Sequence, residues 1–182
     1  MKLRILVILI FFYRFSVAQV FHTDNGKVVF ISKAPLSTFE GKSDKLKGLI
    51  DLEKNLVDFY LDLNTLQTGI NLRDKHMRDN YLETKKYPFA EFTGKIVTPE
   101  PSTLFSSRET VEVTAQGIFK LHGVEKNIEV RGNLRREGEQ LLLNASFSVL
   151  LTDFNIEKPS LVVYELADEQ KVTIDVVLSK KN

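Results

Sequence analysis

Long stretches of this chain alternate apolar and polar side chains with a period of two, which is the period of extended backbone. Val111, Val113, Ala115, Gly117, Phe119 and Leu121 fall on one face, against Glu112, Thr114, Gln116 and Lys120 on the other. Phe59, Leu61 and Leu63 alternate with Asp58, Tyr60, Asp62 and Asn64. Ile128, Val130, Gly132 and Leu134 alternate with Asn127, Glu129, Arg131 and Asn133, and Val172, Ile174, Val176 and Leu178 with Lys171, Thr173, Asp175 and Ser179. One dry and one wet face per strand is an antiparallel pattern, because parallel strands covered on both faces read as near-continuous apolar runs. The fold class is all-β.

The alternation predicts eight strands, over about 26–33, 38–51, 56–67, 88–97, 110–121, 125–136, 140–152 and 169–180. His122-Gly123 and Glu137-Gly138-Glu139 carry hairpin-turn chemistry, and Pro99 to Ser107 reads as a longer loop. Strands of this length suit a tilted barrel better than a sandwich: ten residues span about 33 Å, and tilt reduces the height to roughly 25 Å. No repeat, low-complexity tract or linker marks a second domain. The expectation is a single eight-stranded antiparallel barrel.

One segment interrupts the pattern. Gly69 ends a strand, Asn71 is placed to cap a short helix carrying Arg73, Asp74, Lys75, His76 and Met77, and Tyr87-Pro88 stops it. This puts one helix between residues 70 and 83, joining strands three and four. Arg73 shares a helix face with His76 and Met77, whereas the adjacent Arg73 and Asp74 point apart. The simplest arrangement packs Leu72 and Met77 on the barrel mouth while the charged groups bond loop backbone.

A barrel of this size holds either a packed core or one small ligand. Gly41, Gly48, Ala90, Gly94, Gly117, Gly132 and Ala145 fall on dry faces among large apolar residues. They either leave volume inside or merely relieve the curvature of a closed sheet. Strand parity, with the helix over one end, assigns Phe30, Phe39, Phe59, Leu61, Met77, Phe92, Phe119, Leu121, Phe147 and Val149 to the wall of an elongated, ligand-binding apolar cavity. The first strand carries the most risk, since Val29 and Ile31 compete there with Val28 and Phe30, and a one-residue slip reverses a face.

The ends and the charge restrict what such a barrel can do. Lys2 and Arg4 form a basic start, Leu3 to Phe12 is an almost unbroken apolar run, and Ser16-Val17-Ala18 supplies small residues before a cleavage point at Gln19. The apolar run is shorter than the roughly 20 residues that span a bilayer. Residues 1–18 are therefore expected to be a signal peptide and residues 19–182 the folded domain, periplasmic or secreted, with no integral membrane span. Cleavage removes Lys2, Arg4 and Arg14, leaving 22 of the 25 basic side chains against 24 acidic ones. A net charge near −2, with both signs interspersed, gives no basic stripe for nucleic acid. The absence of cysteine excludes a disulfide scaffold, a thiol catalyst, a Cys-type metal site and a lipid-anchored N-terminus.

Catalytic signatures are also missing. His22, His76 and His122 stand far apart, without His-x-His or HExxH spacing, and no GxSxG elbow or phosphate-binding loop occurs. His122, in a hairpin turn, reads as a surface or turn residue. The reading is of a protein that is not an enzyme, with no catalytic residues, no metal and no covalent cofactor. Its competitors are a solid-packed barrel acting as a stress-related interaction protein and, less favoured, an enzyme using His76 and Asp74.

Thr68-Gly69, Arg73-Asp74-x-His76-Met77, Tyr87-Pro88 and the aromatic strand at Phe92, in this order and spacing, resemble the signature of the YceI family, bacterial lipid-binding proteins with a lipocalin-like barrel. Phe39-Glu40-Gly41 and Gly48-Leu49-Ile50 are similar to its early aromatic–glycine strand. Gly117 to Val124 is similar to its Gly-x-Leu-Thr-x-His-Gly-Val hairpin. Leu151-Thr152-Asp153-Phe154-Asn155-Ile156 stands where many members have Arg-x-Asp-Phe-Gly-Ile, with Leu151 in place of the arginine and Asn155 in place of the glycine. The resemblance runs from about Asp24 to the C-terminus. It implies a lipocalin-like barrel that binds and transports or sequesters a long amphiphilic lipid, such as an isoprenoid quinone, a polyprenyl compound or a fatty amide, and it implies a homodimer. Loss of the basic residue at Leu151 bears on the ligand's head group and not on the fold.

Overall fold

The structure is a computed structural model describing residues 19–35, 37–97, 109–157 and 166–180. The expected signal peptide, the loop at 99–107 and most of the segment leading into the last strand lie outside these residues. Eight strands follow in order: β1 (Val20–Ala34), β2 (Ser37–Asp51), β3 (Leu56–Asp62), β4 (Phe89–Ile96), β5 (Thr110–Leu121), β6 (Val124–Glu137), β7 (Gln140–Leu150) and β8 (Glu169–Lys180). Each pairs antiparallel with the next, and β8 pairs with β1, so the sheet closes into a barrel with no free edge. Helix α1 (Asn71–His76) runs into a π-turn at Met77–Tyr81, and together they form the insert between β3 and β4.

Two boundaries differ from the expected ones by more than two residues, for local reasons. The first strand starts at Val20 instead of 26, because the polar run Thr23-Asp24-Asn25-Gly26 imitates a turn but is a bulge inside β1. Strand β3 ends at Asp62 instead of 67. There the Asp62 carboxylate accepts the Asn64 N–H at 2.9 Å and its carbonyl accepts the Thr65 hydroxyl at 2.6 Å, folding the chain into a 3-10 turn at Leu63–Thr65. The β5–β6 turn fits its sequence: His122 (φ 52°) and Gly123 (φ 77°) both adopt the left-handed conformation that a two-residue hairpin turn needs.

The first hairpin contains two compensating bulges. Val28 faces Ser43, Gly26 faces Leu46, and Thr23 faces Gly48. Strand β2 therefore carries one extra residue between the first two pairs, and β1 one extra between the second and third. A single bulge would turn half of each strand inside out. With two, the inward face passes from Phe21 and Thr23 to Gly26, Val28 and Phe30 in β1. In β2 it passes from Phe39, Gly41 and Ser43 to Leu46 and Ile50. Val28 and Phe30, rather than Val29 and Ile31, face inward.

The interior is divided along its axis. At the end where β1 begins and β2 finishes, Phe21 and Leu178 are fully buried at 0 %, with Ile50, Leu134, Leu141 and Val176 barely less so. These residues form a close-packed floor. The insert, the His122-Gly123 turn and a 3-10 turn at Leu151–Phe154 lie at the opposite end.

Candidate functional site

Above the floor the barrel encloses a cavity of about 210 Å³, more than ten times the roughly 10–15 Å³ that accommodates one water. Phe30, Phe39, Phe59, Leu61, Phe92, Phe119, Leu121, Phe147 and Val149 line it from the strands, and Met77 lines it from the insert. Those are the nine residues that strand parity singles out and the one, Met77, that the helix over one end adds. Leu63, Leu66 and Leu82 from the insert side, with Leu151 and Ile156 from the β7–β8 connection, also contribute to its wall. Edge-on ring pairs order the aromatic wall: Phe30 with Phe39 at 6.2 Å, and Phe119 with Phe147 and with Phe154, each at 5.5 Å.

The small inward residues play several parts. A Cβ at Gly41 would stand 2.2 Å from the Phe30 ring and one at Gly48 2.3 Å from the Phe59 ring, so these glycines seat the aromatic wall and leave no space of their own. Gly94 faces Gly117, where a Cβ would meet Thr93 O at 2.3 Å, and Gly132 faces Ala145. Curvature and close strand approach account for those positions. Ala90 alone of the seven lies on the cavity wall, while Ala145 is buried at 4 % without lining it.

Among the described residues, Arg73, Tyr81, Glu91 and Gln170 are the polar ones along the wall. Glu91 turns its carboxylate toward Lys120 on the outer face, at 3.8 Å. Burial pushes the Tyr81 phenol above its ordinary value, which keeps it uncharged beside the apolar wall. The Arg73 guanidinium sits 4.4 Å over the Phe39 ring. Gln170 is buried; its amide nitrogen donates to Ala167 O at 2.6 Å and to Ser32 Oγ at 3.3 Å.

The insert is held differently from the sequence expectation. Ile70, not Asn71, occupies the helix N-cap, and its aliphatic side chain makes no cap bond; Asp74 instead ties the helix back to Thr68, ahead of it in the chain. Asp74 is buried, and its Oδ1 accepts from the Thr68 N–H at 2.7 Å and the Thr68 hydroxyl at 2.5 Å. Arg73 Nε donates to the same hydroxyl oxygen at 3.0 Å, so Arg73 and Asp74 converge on Thr68 instead of pointing apart. Met77 packs inward as expected; Leu72 does not, being 61 % exposed, and His76 is exposed as well.

His122 is not a surface residue. Its side chain is only 10 % exposed, with Nδ1 at 3.0 Å from Phe154 O, Nε2 at 2.8 Å from Glu83 Oε2 and the Tyr87 ring at 4.6 Å. It joins the β5–β6 turn to the insert and to the β7–β8 connection, through partners distant in sequence. Asn155, which stands where the resemblance has glycine, adopts φ 55° in the left-handed region, one of the few non-glycine residues at home there. Leu151, in place of the arginine, is buried and adds apolar surface to the cavity. Among the described residues no group of three or more His, Cys, Asp or Glu is arranged to hold a metal, and no helix is long and apolar enough to cross a membrane.

Gln170 and Ser32 escaped the sequence reading, although a signal existed: Gln170 shares the parity of Val172 and Ile174, and Ser32 that of Val28 and Phe30. A polar residue on a dry face marks a place where the interior needs hydrogen bonding.

A closed antiparallel eight-stranded barrel with an apolar chamber beneath a helical insert defines the class as a lipocalin-like β-barrel. The sequence matches the YceI-like domain over residues 20–178, and the chain belongs to the YceI family. Its fold is similar to that of a polyisoprenoid-binding domain from Saccharophagus degradans implicated in plant cell wall breakdown, with a TM-score of 0.76 and 21 % identity over 91 % of this chain and 100 % of that one. It is also similar to Burkholderia cenocepacia BcnA (TM-score 0.69, 16 % identity, 85 % of this chain and 96 % of that one). A third similar structure is the Campylobacter jejuni YceI protein (TM-score 0.65, 17 % identity, 84 % of this chain and 91 % of that one). No curated protein matches the sequence.

Proposed function

We propose that this protein is a non-catalytic carrier that binds and transports or sequesters a long amphiphilic lipid, of isoprenoid or fatty-chain type, in the cell envelope. The observation that carries the reading is the cavity: a chamber of about 210 Å³ walled almost wholly by aliphatic and aromatic side chains inside a closed barrel. Such a chamber offers a hydrocarbon chain removal from water at roughly 25 cal/mol per Å² of buried apolar surface. It offers little to a polar substrate, and the few polar groups on its wall are not arranged as a nucleophile with a base. The Saccharophagus neighbour, described as polyisoprenoid-binding, supports the choice of ligand class.

Export after removal of residues 1–18 places the carrier in the periplasm or outside the cell, and association as a homodimer completes the proposal. The ten cavity residues, Phe30 to Val149, are its ligand contacts. Mass spectrometry of an organic extract from natively purified protein tests it. A stoichiometric long-chain amphiphile is the expected result; an empty protein that also fails to take up added isoprenoid or fatty lipid refutes the reading.

A further inference from the structure

We propose that Gln170 is the head-group acceptor of this cavity, and that the amphiphile it takes carries an O–H or N–H donor on its head, as a long-chain alcohol or primary amide does. The inference rests on the carrier reading and narrows its ligand class.

Gln170 lies on the cavity wall and is only 6 % exposed. Its amide nitrogen is committed to Ala167 O and Ser32 Oγ, at 2.6 Å and 3.3 Å. A carbonyl can only accept, so the nitrogen must face Ala167, and the amide cannot be turned end for end. Its position fixes that of Oε1, which is buried and, among the described residues, has no hydrogen-bond partner. Ser32 is likewise fully buried and receives the Ala167 N–H at 3.1 Å as well as the Gln170 amide. Val149, the direct neighbour of Gln170 on β7, and nearby Val172 offer no side-chain donor. Interiors rarely leave an acceptor unpaired in such surroundings. A ligand hydroxyl or amide N–H supplies what is missing. A head that only accepts, such as a quinone, an ether or an ester, cannot.

The position of the site also orients the ligand. Ser32 stands between Gln170 on β8 and Phe39 on β2, and the Arg73 guanidinium covers Phe39. These polar groups mark the end of the barrel under the insert, opposite the packed floor. The head therefore lies beneath the insert and the tail points toward the floor.

The test titrates delipidated mature protein with geranylgeraniol and with its methyl ether, which share a tail and differ in one O–H. The wild type is expected to bind the alcohol about tenfold more tightly, the scale of one net hydrogen bond. Gln170→Leu should remove that preference by weakening the alcohol alone. Equal affinities in the wild type, or a preference that survives in Gln170→Leu, overturn the proposal while leaving the carrier reading in place. Failure of both compounds, and of a fatty primary amide, to bind overturns both. Should Gln170→Leu not fold, comparing a fatty primary amide with its N,N-dimethyl derivative on the wild type repeats the test without a substitution, with the same two results deciding it.

Discussion

Two alanines that face into the barrel should respond in opposite ways to the same substitution, Ala→Trp. Ala90 lies on the cavity wall opposite Leu61, whereas Ala145 is buried against Gly132 outside the cavity. An indole at position 90 that fills part of the cavity buries roughly 150–250 Å², worth about 4–6 kcal/mol at roughly 25 cal/mol per Å². Against this stand about 1 kcal/mol of lost rotamer freedom and about 1–3 kcal/mol for an indole N–H without a partner. The net effect falls between about 0 and 4 kcal/mol in favour of folding. At position 145 no void receives the ring, so overpacking should cost about 1–3 kcal/mol or more. The chain has no native tryptophan, so each variant carries a single indole whose emission reports its surroundings during denaturant unfolding. Ala90→Trp should be at least as stable as wild type, emit as a buried indole and lose lipid binding. Ala145→Trp should be destabilised. A destabilised Ala90→Trp together with an unaffected Ala145→Trp would refute the division of the interior into chamber and floor.

Asp74→Ala should lower stability by about 1–3 kcal/mol, because it strands the Thr68 N–H and removes the acceptor of its hydroxyl in a half-buried site; denaturant unfolding and faster amide exchange at Thr68 would report it, and unchanged exchange would count against the bracing role. His122→Ala should cost about 1–3 kcal/mol, mostly through the lost Phe154 carbonyl bond and Tyr87 packing, while Glu83→Gln, on the exposed side of the same contact, should cost much less; equal losses in thermal melts would contradict this. The raised Tyr81 phenol makes the folded protein hold a proton that the unfolded chain releases. Its contribution to stability is thus complete below the ordinary value of 10.0 and lost as pH rises through the higher folded value. Tyr81→Phe should flatten the alkaline fall in stability and remove a late-titrating phenol from an ultraviolet titration.

The barrel could be read from the sequence because period-two alternation is a local property, and in β3 to β8 one parity holds from end to end. In β1 and β2 it does not. Parity changes at Thr23 to Val28 and again at Ser43 to Leu46, and the extra residues look like any other polar side chains until the partner strand shows the register. Nine of the ten wall positions are accessible to parity because they lie outside the bulged segments or on the correct side of them, and Met77 follows from the helix placed over one end. Whether small inward residues make room was not accessible, since Gly41 and Gly48 are filled by Phe30 and Phe59 from neighbouring strands. His122 stands in the turn its sequence announces, but its burial is not legible for a related reason: its partners Glu83 and Phe154 lie 39 and 32 residues away, and nothing local announces them.

The packed floor has a consequence for whatever occupies the space above it. Phe21, Ile50, Leu134, Leu141 and Leu178 make the chamber blind-ended, so its depth is fixed by residues that never touch a head group. A tail too short for that depth leaves a dry gap whose wall atoms lack contact partners. One too long must keep part of itself outside. For the proposed carrier the barrel would thus be a gauge, and the end that reads the length of a molecule would be the end farthest from where that molecule is named by its chemistry.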